Sequence, residues 1–226
     1  MNQLEKLGLQ GIIFDMDGVI FDTEALYLNT WSHIGQEMGF TITIEDARVI
    51  IGRPPWECEG LFKARYGADF CMAKALRIME DKVQTVLEES GMPFKPGARE
   101  LIELLYQKGI PAAIGSSNIS RIVNAYLEAA ELTEYFAAVV TGDSVEHVKP
   151  APDIFLKAAA DLGLHPEECL VIEDSRVGAE AAYAAGCQIA LVPDLQAPTA
   201  ETRACVWRVF GSLNELTAAL GLVSHL

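Results

Sequence analysis

The chain is poor in the features that would place it outside the soluble globular class. Its five cysteines (Cys58, Cys71, Cys169, Cys187 and Cys205) are odd in number and form no Cys-x-x-Cys, so neither a disulfide framework nor a zinc site fits. A reducing, cytoplasmic location is therefore expected. Basic residues are scarce, with 17 Lys and Arg against 32 Asp and Glu, a net charge of −15. Such a surface repels nucleic acid and anionic lipid, so neither is an expected partner. No apolar run approaches the roughly 18 residues of a membrane span, and Met1 to Gln10 lacks the apolar stretch of a signal peptide. Repeats and low-complexity segments are absent. The four histidines, His33, His147, His165 and His225, have no metal-ligand spacing.

What the chain does have is apolar residues, half of its 226. That suffices for one large domain, or for a core with a smaller insertion. Gly11-Ile12-Ile13-Phe14 reads as a buried strand. Ile110–Ile114, Ala137–Val140, Cys169–Ile172 and Gln188–Val192 repeat the pattern. Helical spacing fills Ala98–Lys108, Ile119–Glu131, Pro152–Leu162 and Ser175–Ala185 between them. Alternation of this kind predicts an α/β fold, a Rossmann-like parallel sheet covered on both faces. One stretch breaks the rhythm: Ala25–Met38, Trp56–Tyr66 and Phe70–Ser90 all read as helices. The predicted organisation is a core of residues 1–22 and 92–226 with an all-helical cap of residues 23–91, joined through the turn-rich stretch from Gly91 to Gly97.

Ligands of open α/β sheets bind beyond the carboxyl ends of the strands. There the sequence puts Asp15 and Asp17, then Ser116, Ser117 and Asn118, then Thr141-Gly142-Asp143 with Lys149 after it, and finally Glu173 and Asp174. Each group alone has an ordinary reading as a turn, a helix cap or a solvated lysine. Their joint position past successive strands suggests phosphoryl transfer. Asp15 suits a nucleophile, since carboxylates form phosphoryl-enzyme intermediates. Asp17, two positions on, suits a general acid and base. Asp15, Asp17 and Asp174 are oxygen donors of the kind magnesium prefers. Ser116 and the N–H groups around Ser117 and Asn118, opening the next helix, suit phosphoryl oxygens. Lys149 supplies a compact positive charge.

These residues also carry a resemblance. Phe14-Asp15-Met16-Asp17-Gly18-Val19-Ile20-Phe21-Asp22-Thr23-Glu24 resembles the first motif of the haloacid dehalogenase superfamily, and Ile114 to Asn118 the second. Val148-Lys149-Pro150-Ala151-Pro152-Asp153 resembles the third. Val171-Ile172-Glu173-Asp174-Ser175, with Gly178 and Ala185-Gly186, resembles the fourth. The helical insertion is similar to the type I cap of the β-phosphoglucomutase-like phosphatases. The resemblance implies a magnesium-dependent phosphatase acting on a small phosphorylated metabolite, a sugar phosphate first of all, through an aspartyl-phosphate. A monomer or weak homodimer is expected. Magnesium would be held by the Asp15 carboxylate, the Asp17 backbone carbonyl and Asp174, with Glu173 a further or outer ligand. Glu24, Tyr27, Arg53 and Trp56 would be the substrate contacts from the cap side. Tyr27 stands where the true mutase has histidine, and Pro55 where it has arginine, which favours a phosphatase over a phosphosugar mutase. A non-catalytic phospho-acceptor module is the alternative from another class.

Overall fold

A computed structural model describes residues 3–49 and 55–222, without the side chains of residues 24, 25 and 55–57. The chain packs as two compact units, Met1–Asp22 with Phe94–Leu226, and Thr23–Pro93. In chain order, α1 (Gln3–Leu7) and β1 (Gly11–Phe14) begin the larger unit. The smaller unit holds α2 (Thr23–Met38), α3 (Ile44–Arg48), α4 (Pro55–Tyr66) and α5 (Met72–Ser90). The larger unit resumes with α6 (Ala98–Gln107), β2 (Ala112–Gly115), α7 (Ser120–Ala129), β3 (Ala138–Val140), α8 (Asp153–Asp161) and β4 (Cys169–Glu173). It ends with α9 (Arg176–Ala185), β5 (Gln188–Leu191), α10 (Ala200–Cys205), β6 (Arg208–Val209) and α11 (Leu213–Ala219).

The six strands form one parallel sheet in the order β3-β2-β1-β4-β5-β6. This is the predicted α/β class. Strands that are apolar along their run can be buried on both faces, and β1, β2 and β4, whose only charged residue is Glu173 at the end of β4, are buried throughout. Ile13, Ala113, Val171 and Ile189 pack with Ile154, Phe155, Ala158 and Ala159 of α8 and Ala181, Ala182 and Ala185 of α9. Alternate residues point to the other face, where Phe14 meets the ring of Phe136 edge-on at 6.0 Å. The strand order reverses between β1 and β4, and such a switch point opens a crevice at the carboxyl edge.

The element boundaries have local causes. The predicted strand from Ile110 begins at Ala112 instead. Ile110 N–H closes the end of α6 on Leu105 O, and Pro111 has no N–H to give the ladder. Ser175 caps α9 by accepting from Gly178 N, and Gly186, at φ 86°, ends it. β6 was not expected: it is two residues long, held by Trp207 N–H on Ile189 O and Phe210 N–H on Leu191 O.

In the smaller unit, the described residues form helices and no strand. Its core is aromatic. Phe62 stands 5.0 Å from Trp31 and 4.9 Å from Phe70, ring centre to ring centre, and Phe40 and Tyr66 join the same group. Thr43 and Asp46 cap α3 reciprocally, each side chain accepting from the other's backbone N–H.

Candidate active site

β1 is hydrogen-bonded one residue past its end, where Asp15 N–H donates to Ile172 O at 2.9 Å. The chain then bends. Ile20 and Phe21 both donate to Met16 O, and Gly18, at φ 80°, donates to Phe21 O. The strand therefore ends at Phe14 and does not continue through Asp17. Gly18 has a second reason to be glycine, since a Cβ there would lie 2.6 Å from Asp174 Oδ2.

Lys149, 6% exposed, donates from Nζ to Asp15 Oδ1 and, at 2.8 Å, to Glu173 Oε1. Its ammonium also lies 4.7 Å from the centre of the Phe155 ring. Glu173, the last residue of β4, is buried. Its other oxygen accepts from Asp174 N, Ser175 N and Ser175 Oγ at 2.9–3.0 Å. Burial lifts the Asp15 carboxyl to about 8, with Lys149 pulling the other way and the Glu173 and Asp17 carboxylates adding to the rise. Burial would also raise Glu173, but Lys149 and then the Ser175 donors outweigh it and hold the carboxyl below its ordinary value. Burial alone would lower Lys149. Asp15 and Glu173 overcome that and keep the ammonium protonated.

Oxygens of Asp15, Glu173 and Asp174 lie within 4.8 Å of one another. Two of these carboxylates are buried and share one ammonium, a charge imbalance that a divalent cation fits. The donors are all hard oxygens, which suits magnesium or calcium better than a soft metal.

Past β2, Ser116 is buried and its Oγ accepts from Asn118 N at 3.1 Å. Its hydroxyl hydrogen can thus point to a ligand. The helix opens at Ser120 with Ile119 as its N-cap, one residue past the predicted start, so Ser117 and Asn118 lie in the loop before it. The loop is held off helical geometry by that bond and by Gly142 N–H on Asn118 O. Ser117 is exposed. The Asn118 amide donates to Asp17 Oδ2 at 2.9 Å, bridging the first and second motifs. Asp143 braces the same loop, accepting from Ser120 N, Ser120 Oγ and Thr141 Oγ1. The Thr141 hydroxyl first, then Ser120, hold its carboxyl down at about 2.

The structure thus brings Asp15, Lys149, Glu173 and Asp174 together and ties Asn118 to Asp17. Tyr27 lies half-buried on α2 in the smaller unit. Arg53 and the side chains of Glu24 and Trp56 lie outside the described residues. One pair at this edge went unnoticed in the sequence. Lys95 Nζ donates to Asp194 Oδ1 at 2.7 Å and stands 3.7 Å from Asp22 Oδ1. Asp194 follows β5 as Asp174 follows β4, so the rule that found the other acids also pointed to it.

The sequence profile described as haloacid dehalogenase-like hydrolase matches residues 12–192. A fructose-1-phosphate phosphatase of Escherichia coli is 34% identical over 178 residues, covering 78% of this chain and 92% of that protein. A phosphorylated carbohydrates phosphatase of Thermotoga maritima is 35% identical over 183 residues, covering 80% and 83%. Among solved structures, a family hydrolase of Deinococcus radiodurans with bound phosphate and sodium is 27% identical, with a TM-score of 0.79, covering 96% of this chain and 99% of that one. A candidate β-phosphoglucomutase of Thermotoga maritima is 31% identical, with a TM-score of 0.80, covering 94% and 100%. The chain belongs to the haloacid dehalogenase-like hydrolase family and is one of its phosphoric monoester hydrolases.

Proposed function

We propose that the protein hydrolyses a small sugar phosphate in two steps, with Asp15 as nucleophile and Asp17 as acid and base. The carrying observation is the buried Asp15 carboxylate held by Lys149 at the sheet's switch point. In the first step an Asp15 oxygen bonds to phosphorus, the ester P–O bond breaks, and Asp17 gives its proton to the leaving oxygen. In the second, Asp17 takes a proton from water, whose oxygen bonds to phosphorus and frees Asp15. The Asn118 amide fixes the Asp17 carboxyl for both transfers. Ser116 donates to a phosphoryl oxygen, and Lys149 balances the charge gathered around Asp15.

The Asp15 and Asp174 carboxylates and the Asp17 carbonyl would hold magnesium, which when bound neutralises charge on the phosphoryl oxygens. Glu173 is within reach of the same ion, but both its oxygens already serve Lys149 and the Ser175 turn. Glu24, Tyr27, Arg53 and Trp56 are the proposed substrate contacts from the helical unit, residues 23–91. The sugar phosphate assignment is supported by the names of the Escherichia coli and Thermotoga relatives. Five free thiols support a reducing, cytoplasmic setting, and no helix among the described residues is long and apolar enough to cross a membrane. A net charge of −15 supports a small-molecule partner rather than nucleic acid.

The test is phosphate release from a panel of sugar phosphates and para-nitrophenyl phosphate, with magnesium and with chelator. Repeated turnover that stops on chelation is expected. Stoichiometric labelling without release would identify a phospho-acceptor module instead. Conversion of β-glucose 1-phosphate to the 6-phosphate without release would identify a mutase.

A further inference from the structure

Asp194 lies three residues past the end of β5, the strand beside β4. Its two carboxylate oxygens are treated differently. Oδ1 accepts from Lys95 Nζ at 2.7 Å, while Oδ2 is enclosed and has no hydrogen-bond partner among the described residues. A buried carboxylate oxygen without a donor is unfavourable, and such groups persist where a ligand completes them. Gly18 marks where Oδ2 lies. A Cβ at that glycine would stand 2.6 Å from Asp174 Oδ2 and 3.4 Å from Asp194 Oδ2. Both oxygens therefore approach the same point, which glycine leaves free of a side chain. Lys95 feels Asp194, Asp22 and Asp174 together, so one ammonium serves this whole acidic margin.

An ionised carboxylate only accepts hydrogen bonds and repels phosphate. What completes Asp194 must carry donors and tolerate negative neighbours. Water on a divalent cation does both. Magnesium keeps several waters when a protein binds it, and outer carboxylates that accept from them tune its affinity. We propose that Asp194 is a positioning residue for the cation site, held by Lys95 so that Oδ2 accepts from the hydration water of an ion bound at Asp15 and Asp174. The inference rests on the reading of those two residues as the cation site.

The experiment is calorimetric titration of the substrate-free protein with magnesium, repeated with manganese. Wild type is compared with Asp194→Asn, Asp22→Asn and Asp174→Asn. Asp194→Asn keeps an acceptor for Lys95 but turns an NH₂ toward the ion's waters, and is expected to weaken cation affinity about 10- to 100-fold. Asp22→Asn removes the same charge from the other side of Lys95 and is expected to change affinity by less than about 3-fold, as screening allows. Asp174→Asn is expected to abolish binding. Equal affinity in wild type and Asp194→Asn, with Asp174→Asn inactive in binding, overturns the role of Asp194 alone. Equal weakening by Asp22→Asn reduces it to a general charge effect and overturns it too. No binding by wild type overturns the cation site and this inference together. Should Asp194→Asn fail to fold, Asp194→Ser, which is shorter and cannot reach the same waters, carries the same expectation.

Discussion

Lys149 holds two buried carboxylates at once, and its loss removes the one ammonium shared by Asp15 Oδ1 and Glu173 Oε1. Breaking a buried ion pair commonly costs about 3–5 kcal/mol. Lys149→Met is expected near the low end, about 3 kcal/mol, because burial already favours the protonated form of Asp15 and Glu173 keeps its Asp174 and Ser175 donors. Urea unfolding of the metal-free protein checks the value, and phosphate release should be lost in the same variant. Asp17 gives a sharper chemical test. If it protonates the leaving oxygen, its removal matters most where that oxygen is most basic. Asp17→Asn should lower kcat on alkyl phosphates by roughly 10²–10⁴-fold, and by clearly less on para-nitrophenyl phosphate. Asn118→Ala should follow the same leaving-group pattern with a smaller loss, since it removes only the orientation of Asp17. An equal loss on both substrates would contradict the acid role.

Two elements fix where these side chains meet. The first turn of α9 lies so close to Glu173 that a Cβ on Gly178 would stand 1.6 Å from Glu173 Oε1. Gly178→Ala must push the helix or the carboxylate aside. A destabilisation of about 1–3 kcal/mol is expected, together with lower activity, as Lys149 loses its second partner's position. The loop after β2 is tied to the turn after β3 by Asp143. Its carboxyl sits near 2 when folded, below the unfolded value of about 3.8. The stability it adds is therefore present above pH 3.8 and is lost as pH falls from there through 2. Wild type should exceed Asp143→Asn in thermal stability near pH 6, and the gap should close toward pH 2.

This is also the scale at which the sequence was legible. Runs such as Gly11–Phe14 and Cys169–Ile172 read as strands because burial on both faces leaves no polar position to blur them. Asp15, Ser116, Lys149 and Asp174 were readable because each follows such a run within a few residues or belongs to a motif. β6 was not, since two residues hold no period and its pairing comes wholly from β5. Neither was the link from Asn118 to Asp17, which depends on a loop held off helical geometry by Ser116 and Gly142. Nor was Lys95, which sits near Pro93 and Pro96 in a turn-rich stretch with no period to show its reach to Asp194.

For the whole molecule, a parallel sheet with a strand-order reversal gathers residues from positions 15 to 174 at one edge, in a chain of net charge −15. Long-range attraction then favours the cation, and local contacts must capture the phosphate. The proposed role of Asp15 requires that it take the phosphoryl group itself rather than only hold the ion. The most direct measurement is acid quenching during turnover of a sugar phosphate, followed by borohydride reduction and peptide mass analysis. An aspartyl-phosphate on Asp15 is reduced to homoserine at position 15 and at no other aspartate. Steady phosphate release with residue 15 unmodified, or with the label on Asp17 or Asp174, would contradict it.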